Sequence, residues 1–131
     1  MNKVFISYSL SDLEIASSLH TELEGIEVAG LLDQSDITAG DAISAKVKES
    51  LHQASALIVL VSQSSIKSKW VQFEIGAAYA MEKQIIAIIT GSTHTELNLP
   101  EWLMGFMYID ARNQSMQEVA RKIEKALNDG K

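Results

Sequence analysis

"ALIVLVSQSSIKSKWVQFEIGAAYAM", residues 56–81, joins two hydrophobic patterns of different period. The opening "ALIVLVS" is apolar almost throughout, as expected of a strand buried on both faces in the middle of a parallel sheet. From Trp70 onward the spacing is helical, and the polar "QSSIKSK" between the two reads as a loop. A buried strand running straight into a helix is half of a β-α-β unit, so the flanks should repeat the alternation.

They do. "KVFISYS", 3–9, is a β-branched and aromatic run that ends in small hydroxyl residues, a first strand delivering its end to a loop. "SDLEIASSLHTELEG", 11–25, predicts a helix with Ser11 as N-cap, Glu14 three residues later, Leu13, Ile15, Ala16, Leu19 and Leu23 as apolar positions, and Gly25 as its stop. "EVAGLLD", 27–33, is a weaker second strand, "QSDITAGD" a polar loop, and "AISAKVKESLHQAS", 42–55, a helix carrying Ile43, Val47 and Leu51. Beyond the central segment, "KQIIAIIT", 83–90, is a second continuously apolar strand. "GSTHTELNLPEWLMG", 91–105, is a loop with a short helical turn, and "FMYIDA", 106–111, is an edge strand. "QSMQEVARKIEKALND", 114–129, is an amphipathic closing helix with Met116, Val119, Ile123 and Leu127 inward. The alternation predicts an α/β fold, a flavodoxin-like five-stranded parallel sheet in order 2-1-3-4-5 with helices on both faces.

Such a sheet receives ligands beyond the carboxyl ends of its strands, at the switch point between strands one and three. Those ends carry Ser7, Tyr8, Ser9, Ser62 and Gln63, and the helix after strand three brings Trp70 and Glu74 toward the same edge. Glu74 is the odd residue. At about 100° per residue its neighbours within about 60° are Trp70, Val71, Ala77, Ala78 and Met81, while Gln72 and Gly76 lie opposite. Burying a charge without a partner costs several kcal/mol, so such a carboxylate is paired, half exposed at a cleft, or functional. A purely structural role, near the helix N-terminus and tied to a serine or backbone N–H, meets the same spacing.

The bulk properties narrow the function classes. A chain of 131 residues, 47% hydrophobic and 21% charged, fits one globular domain. Net charge of −6, pI near 5.0 and scattered basic residues argue against a phosphate-binding nucleic-acid surface. There is no cysteine for disulfides or thiolate metal sites, and His20, His52 and His94 lack metal-ligand spacing, so no metal is expected. The apolar runs fall well short of the roughly 18 residues of a membrane span, and no secretion signal precedes the first strand, which predicts a soluble cytoplasmic domain. "DITAGDAI" lacks the glycine spacing and lysine of a phosphate loop. Asp12 and Asp33 raise the possibility of a phosphoacceptor domain of the same topology, but "SYS" and "VSQ" stand where the acidic pair and the acceptor aspartate belong.

"VFISYS", "LLDQSDITAGDAI" and "SALIVLVSQSSIKSKWVQFEIGAA", in this order and spacing, resemble the first-strand motif, the second strand with its BB loop, and the third strand with the following helix of the Toll/interleukin-receptor (TIR) domain in its bacterial form. The resemblance covers nearly the whole chain. It implies a single TIR domain over 1–131, either free-standing or the N-terminal part of a longer sensor-effector protein. Two kinds of activity are implied, adaptor or effector modules that work through domain contacts, and enzymes that cleave NAD+ at the nicotinamide glycosidic bond. The enzymatic kind carries a glutamate four residues after a tryptophan on the helix after strand three, matched here by Trp70 and the candidate catalytic Glu74. Its pocket is lined by the end of the first strand, here Phe5, Ile6, Ser7 and Tyr8, and by the start of the BB loop, here Asp33 to Gly40. Where some animal relatives place an aromatic two residues after the loop glycine, this chain has Ala42. The resemblance further implies NAD+ as substrate with no separate cofactor, hydrolase or cyclase chemistry yielding ADP-ribose or a cyclic isomer, activation by TIR–TIR contacts through residues 34–42, and a role in antiphage defence.

One carboxylate is chemically sufficient for that reaction. Ordinary glycosidases need a second because the departing alcohol must be protonated. The nicotinamide of NAD+ leaves as a neutral base, so the difficulty is the oxocarbenium-like charge on the ribose, which a single carboxylate can oppose. Trp70, one turn earlier, could wall the site or pack on a ring. Ser7, Ser9 and Ser62 have no histidine near them in sequence and give no support for a serine nucleophile.

Overall fold

A computed structural model describes residues 2–32, 41–90 and 105–129, and of residues 41–46 the backbone alone. Strand β1 (Asn2–Ser7) leads through a 3-10 turn (Leu10–Asp12) into helix α1 (Leu13–Gly25). Then follow β2 (Val28–Leu32), α2 (Asp41–Gln53), β3 (Ala56–Val61), a second 3-10 turn (Ser65–Lys67), α3 (Lys69–Ala80), β4 (Gln84–Ile89), β5 (Met107–Asp110) and α4 (Met116–Asp129). All neighbours pair in parallel and the sheet order is β2-β1-β3-β4-β5, the doubly wound order expected from the alternation. Ile6, Ile58 and Ile86 lie side by side across the three central strands.

The period-two alternation of the strands sorts side chains to two cores. Val4, Ile6 and Tyr8 of β1 and its end, Ala56, Ile58 and Leu60 of β3, and Ile86 and Ile88 of β4 meet Leu19 and Leu23 of α1 and Val119, Ile123 and Leu127 of α4. Phe5, Leu57, Val59, Val61, Ile85 and Ala87 face the other way, onto Val47 and Leu51 of α2 and Val71, Ile75 and Ala78 of α3. Every residue of β3 is buried, which is why its sequence shows no alternation at all. Ser7, on the Phe5 side, therefore points at α3 from the last residue of β1.

One local expectation needs correction. Ser11 is not the cap of α1. The Asp12 N–H already bonds the Ser9 carbonyl at 2.8 Å, so the chain turns before Ser11, which is exposed, and α1 starts at Leu13. Gly25 does end α1 as its last helical residue, and the left-handed conformation follows two residues later, at Glu27 with φ 63°.

Gly30 in β2 does carry a close approach. A Cβ there would stand 2.8 Å from His20 Cδ2. The ring is held by Nε2, which lies 3.0 Å from both the Gly30 carbonyl and Glu24 Oε1. Both are acceptors, so Nε2 carries the proton. Gly30→Ala is expected to displace the ring and cost about 1 kcal/mol, roughly one hydrogen bond. In a His20→Ala background the same change is expected to stabilise by about 0.5–1 kcal/mol through the usual alanine advantage in a strand. Urea midpoints of the four proteins read the reversal directly, and equal shifts in both backgrounds would refute the packing account.

At the far edge, Asp110 at the end of β5 receives Arg112 Nη2 at 2.7 Å, Nε at 2.9 Å and the Arg112 backbone N–H at 3.1 Å. The guanidinium hydrogen bonds, and then the backbone one, hold the Asp110 carboxyl at about 2, below its ordinary 3.8. A folded-state value below the unfolded one contributes stability above the ordinary value that is lost as pH falls through the lower one. Because the pair is solvent-exposed, the effect is small and screened. Asp110→Asn should thus lower the denaturation midpoint slightly at pH 7, with the difference closing between about pH 4 and about pH 2.

Candidate active site

The last residue of β1 and the second turn of α3 meet at the carboxyl edge of the sheet. Ser68 precedes α3, and its Oγ accepts the Val71 N–H at 3.1 Å, fixing where the helix begins. From that start the helical period turns Val71, Glu74, Ile75 and Ala78 inward, while Gln72 and Gly76 face solvent. Glu74 is 0% exposed. Ser7, also 0% exposed, donates its hydroxyl to Glu74 Oε1 at 2.6 Å, a bond between residues 67 apart in sequence. A hydroxyl donated to a carboxylate is among the stronger neutral–charged hydrogen bonds and offsets part of the desolvation of the acid.

Trp70, one turn before Glu74, packs partly buried on the α2/α3 core, and its ring meets Phe73 at 5.7 Å between centroids, tilted by 33°. Its indole Nε1 is buried and makes no hydrogen bond among the described residues. A buried donor left without an acceptor costs roughly 1–3 kcal/mol, so it calls for an explanation, and an acceptor on a bound molecule would provide one.

The structure brings together Phe5, Ser7, Trp70 and Glu74 on the α3 side of β1. Ile6 and Tyr8 are sent to the opposite core by the strand alternation, so their side chains face α1 and α4 rather than Glu74. Asp33 and Gly40 lie outside the described residues, as does most of the 34–42 loop. A groove of about 620 Å³ lined by Gln72, Ile75, Gly76, Tyr79, Gly105 and Phe106 runs along the solvent side of α3, away from Glu74. Among the described residues no group of three or more His, Cys, Asp or Glu is placed to hold a metal. No helix among them is long and apolar enough to cross a membrane.

A second polar group at this edge was not legible as a unit in the sequence. Asp12, only 8% exposed, accepts Ser62 Oγ at 2.5 Å and Ser9 Oγ at 3.3 Å through the same oxygen, Oδ2. Ser62 and Ser65 are buried and clamp each other, Ser65 Oγ accepting the Ser62 N–H at 2.7 Å and Ser62 Oγ accepting the Ser65 N–H at 3.1 Å. Fifty residues separate Asp12 from Ser62, and no local pattern announces such a pair.

The model of the TIR domain family matches residues 4–127, from within β1 into α4, and so includes both members of the Ser7–Glu74 contact. The chain belongs to the TIR domain family. Solved structures agree on the fold. The TIR domain of the Toll-related receptor TRR-2 from Hydra magnipapillata superposes with a TM-score of 0.75 at 20% identity, over 95% of this TIR domain and 97% of that chain. The CMP N-glycosidase BcmB of Clostridium botulinum gives 0.64 at 18% identity, over 95% and 99%. A TIR-STING receptor from C. gigas gives 0.70 at 20% identity, where this TIR domain covers 38% of the longer chain. No curated protein matches this TIR domain at a significant level.

Proposed function

We propose that this TIR domain cleaves the N-glycosidic bond between nicotinamide and ribose in NAD+, with Glu74 as the catalytic residue. The observation that carries the reading is a buried carboxylate held by Ser7 at the switch point of the sheet, one turn after a tryptophan whose indole N–H has no acceptor among the described residues. Supporting it, N-glycosidic chemistry is named for a protein of the same architecture, the CMP N-glycosidase. In the proposed reaction the C1′–N bond breaks heterolytically and its electron pair neutralises the pyridinium, so nicotinamide leaves without a proton. The Glu74 carboxylate opposes the positive charge that grows at C1′, in a site with little competing water. Water then adds at C1′ and loses a proton to give ADP-ribose, or an internal nucleophile of the substrate adds and gives a cyclic isomer.

Glu74 is sealed in the single chain, so substrate can reach it only after neighbouring segments move apart. Self-association through TIR–TIR contacts, with the 34–42 loop at the junction, is the proposed means of opening, and it fits an enzyme used in antiviral defence that must stay silent until triggered. The same sealed carboxylate equally suits a non-catalytic interaction module, the second reading. NAD+ and CMP should be offered separately to the concentrated domain, with and without a crowding agent, and the products resolved by chromatography. Release of nicotinamide that rises faster than linearly with protein concentration is expected. Cytosine release instead would transfer the reaction to nucleotide bases, and inertness toward both would leave the interaction module.

A further inference from the structure

We infer that Asp12 is a positioning residue for Glu74, acting through a clasp to Ser62; this rests on the NAD+-cleaving reading of the same site. The clasp begins where β1 ends. Asp12 gathers Ser9 Oγ from its own loop and Ser62 Oγ from the end of β3, so one carboxylate oxygen ties the β1–α1 loop to the β3–α3 connection.

From Ser62 the connection is hydrogen-bonded without a break as far as the helix. Ser62 and Ser65 clamp each other, the Ile66 N–H bonds the Ser62 carbonyl at 3.1 Å, and the Ser68 N–H bonds the Ser65 carbonyl at 3.0 Å. Ser68 then caps α3 through Val71, while Gln72 Nε2 reaches back to the Ile66 carbonyl at 3.0 Å. Glu74 lies on the next turn and bonds Ser7, two residues before Ser9. The path therefore closes on itself: β1 is joined to α3 directly by Ser7 and Glu74, and again through Asp12, Ser62 and the turn. The direct bond orients the carboxylate and the buried Val71, Ile75 and Ala78 seat the body of the helix on the sheet. The clasp acts on what these leave least constrained, the turn that sets where the helix starts. A displacement of about 1 Å at a catalytic group can cost about 100-fold in rate.

Asp12 is thereby distinguished from an ordinary buried acid by what it holds. Its partner is a side chain of the turn that leads into the catalytic helix, and the contact needs an acceptor oxygen at that point rather than a charge. Asparagine can supply such an oxygen, whereas alanine cannot.

The test compares wild type, Asp12→Ala, Asp12→Asn, Ser62→Ala and the Asp12→Ala/Ser62→Ala double variant for NAD+ cleavage at matched protein concentration. Asp12→Ala is expected to lower kcat by about 10- to 100-fold with KM changed by less than about threefold. Asp12→Asn should recover to within about threefold of wild type, and adding Asp12→Ala to Ser62→Ala should cost less than about twofold more. Unchanged kcat in Asp12→Ala, an Asn variant as slow as the Ala variant, or additive losses in the double variant would each overturn the clasp. Amide hydrogen exchange on the same proteins keeps the inference separable from the enzyme reading. The Val71 and Gln72 amides should exchange at least about tenfold faster in Asp12→Ala than in wild type or Asp12→Asn, with the Met81 and Lys83 amides at the other end of α3 unchanged. If wild type leaves NAD+ intact but this exchange pattern appears, the clasp stands and the enzyme reading fails; if the exchange is unaltered, the clasp fails whatever the activity.

Discussion

Glu74→Gln is expected to reduce NAD+ cleavage by about 100- to 1000-fold, roughly 3–4 kcal/mol of transition-state stabilisation, while leaving the fold intact. The glutamine amide oxygen can still accept the Ser7 hydroxyl, so the 2.6 Å contact and the packing around it survive. What disappears is the negative charge that the proposed reaction sets against C1′. Burying that charge is costly to the folded state, so its removal with shape preserved should leave the melting temperature unchanged or higher. Glu74→Ala is a poorer probe, because it leaves the wholly buried Ser7 hydroxyl without this acceptor and opens a cavity. Paired melting curves and nicotinamide release decide the matter. A Gln variant that cleaves at the wild-type rate would remove Glu74 from the chemistry. One that is inactive because it is unfolded would mark the Ser7–Glu74 pair as structural.

The largest effect on stability is expected in β3. Ile58 is 0% exposed, stands between Ile6 and Ile86 in the sheet, and packs into the core shared with α1 and α4. Ile58→Ala should cost about 2–5 kcal/mol, because the neighbouring strands are hydrogen-bonded in place and cannot collapse into the cavity. Against a typical total of about 5–15 kcal/mol for a domain, that is a large share, and it corresponds to a fall in melting temperature on the order of 10 °C. Tyr108, on the edge strand and 54% exposed, serves as the control, with Tyr108→Ala expected to stay within about 0.5 kcal/mol. Equal losses at the two positions would contradict the central placement of β3.

By itself the sequence determined the architecture. The continuously apolar runs at 56–61 and 84–89 mark central strands, because only strands buried on both faces can dispense with polar positions. The closing helix was equally plain, since Val119, Ile123 and Leu127 recur at helical spacing and all prove buried. Glu74 could be singled out because its helical neighbours are apolar, a property of one short segment. These signals are local periodicities, and a period is complete within a dozen residues.

Tertiary structure alone decided the partners. That Ser7 is the residue which meets Glu74, and that Ile6 and Tyr8 turn away from it, follows from the phase of the β1 pleat relative to α3, which is set by packing across 67 residues of chain. Asp12 and Ser62 each look like an ordinary polar residue at a strand end or helix start. They become a clasp only because parallel pairing of β1 with β3 brings both strand ends to one edge. The start of α1 moved from Ser11 for a related reason: Asp12, the residue left at the start of the helix, uses its carboxylate on Ser62 instead of capping its own helix. A hydrogen bond between distant residues leaves no periodic trace, because its energy depends on where the fold places two groups rather than on what surrounds each of them along the chain.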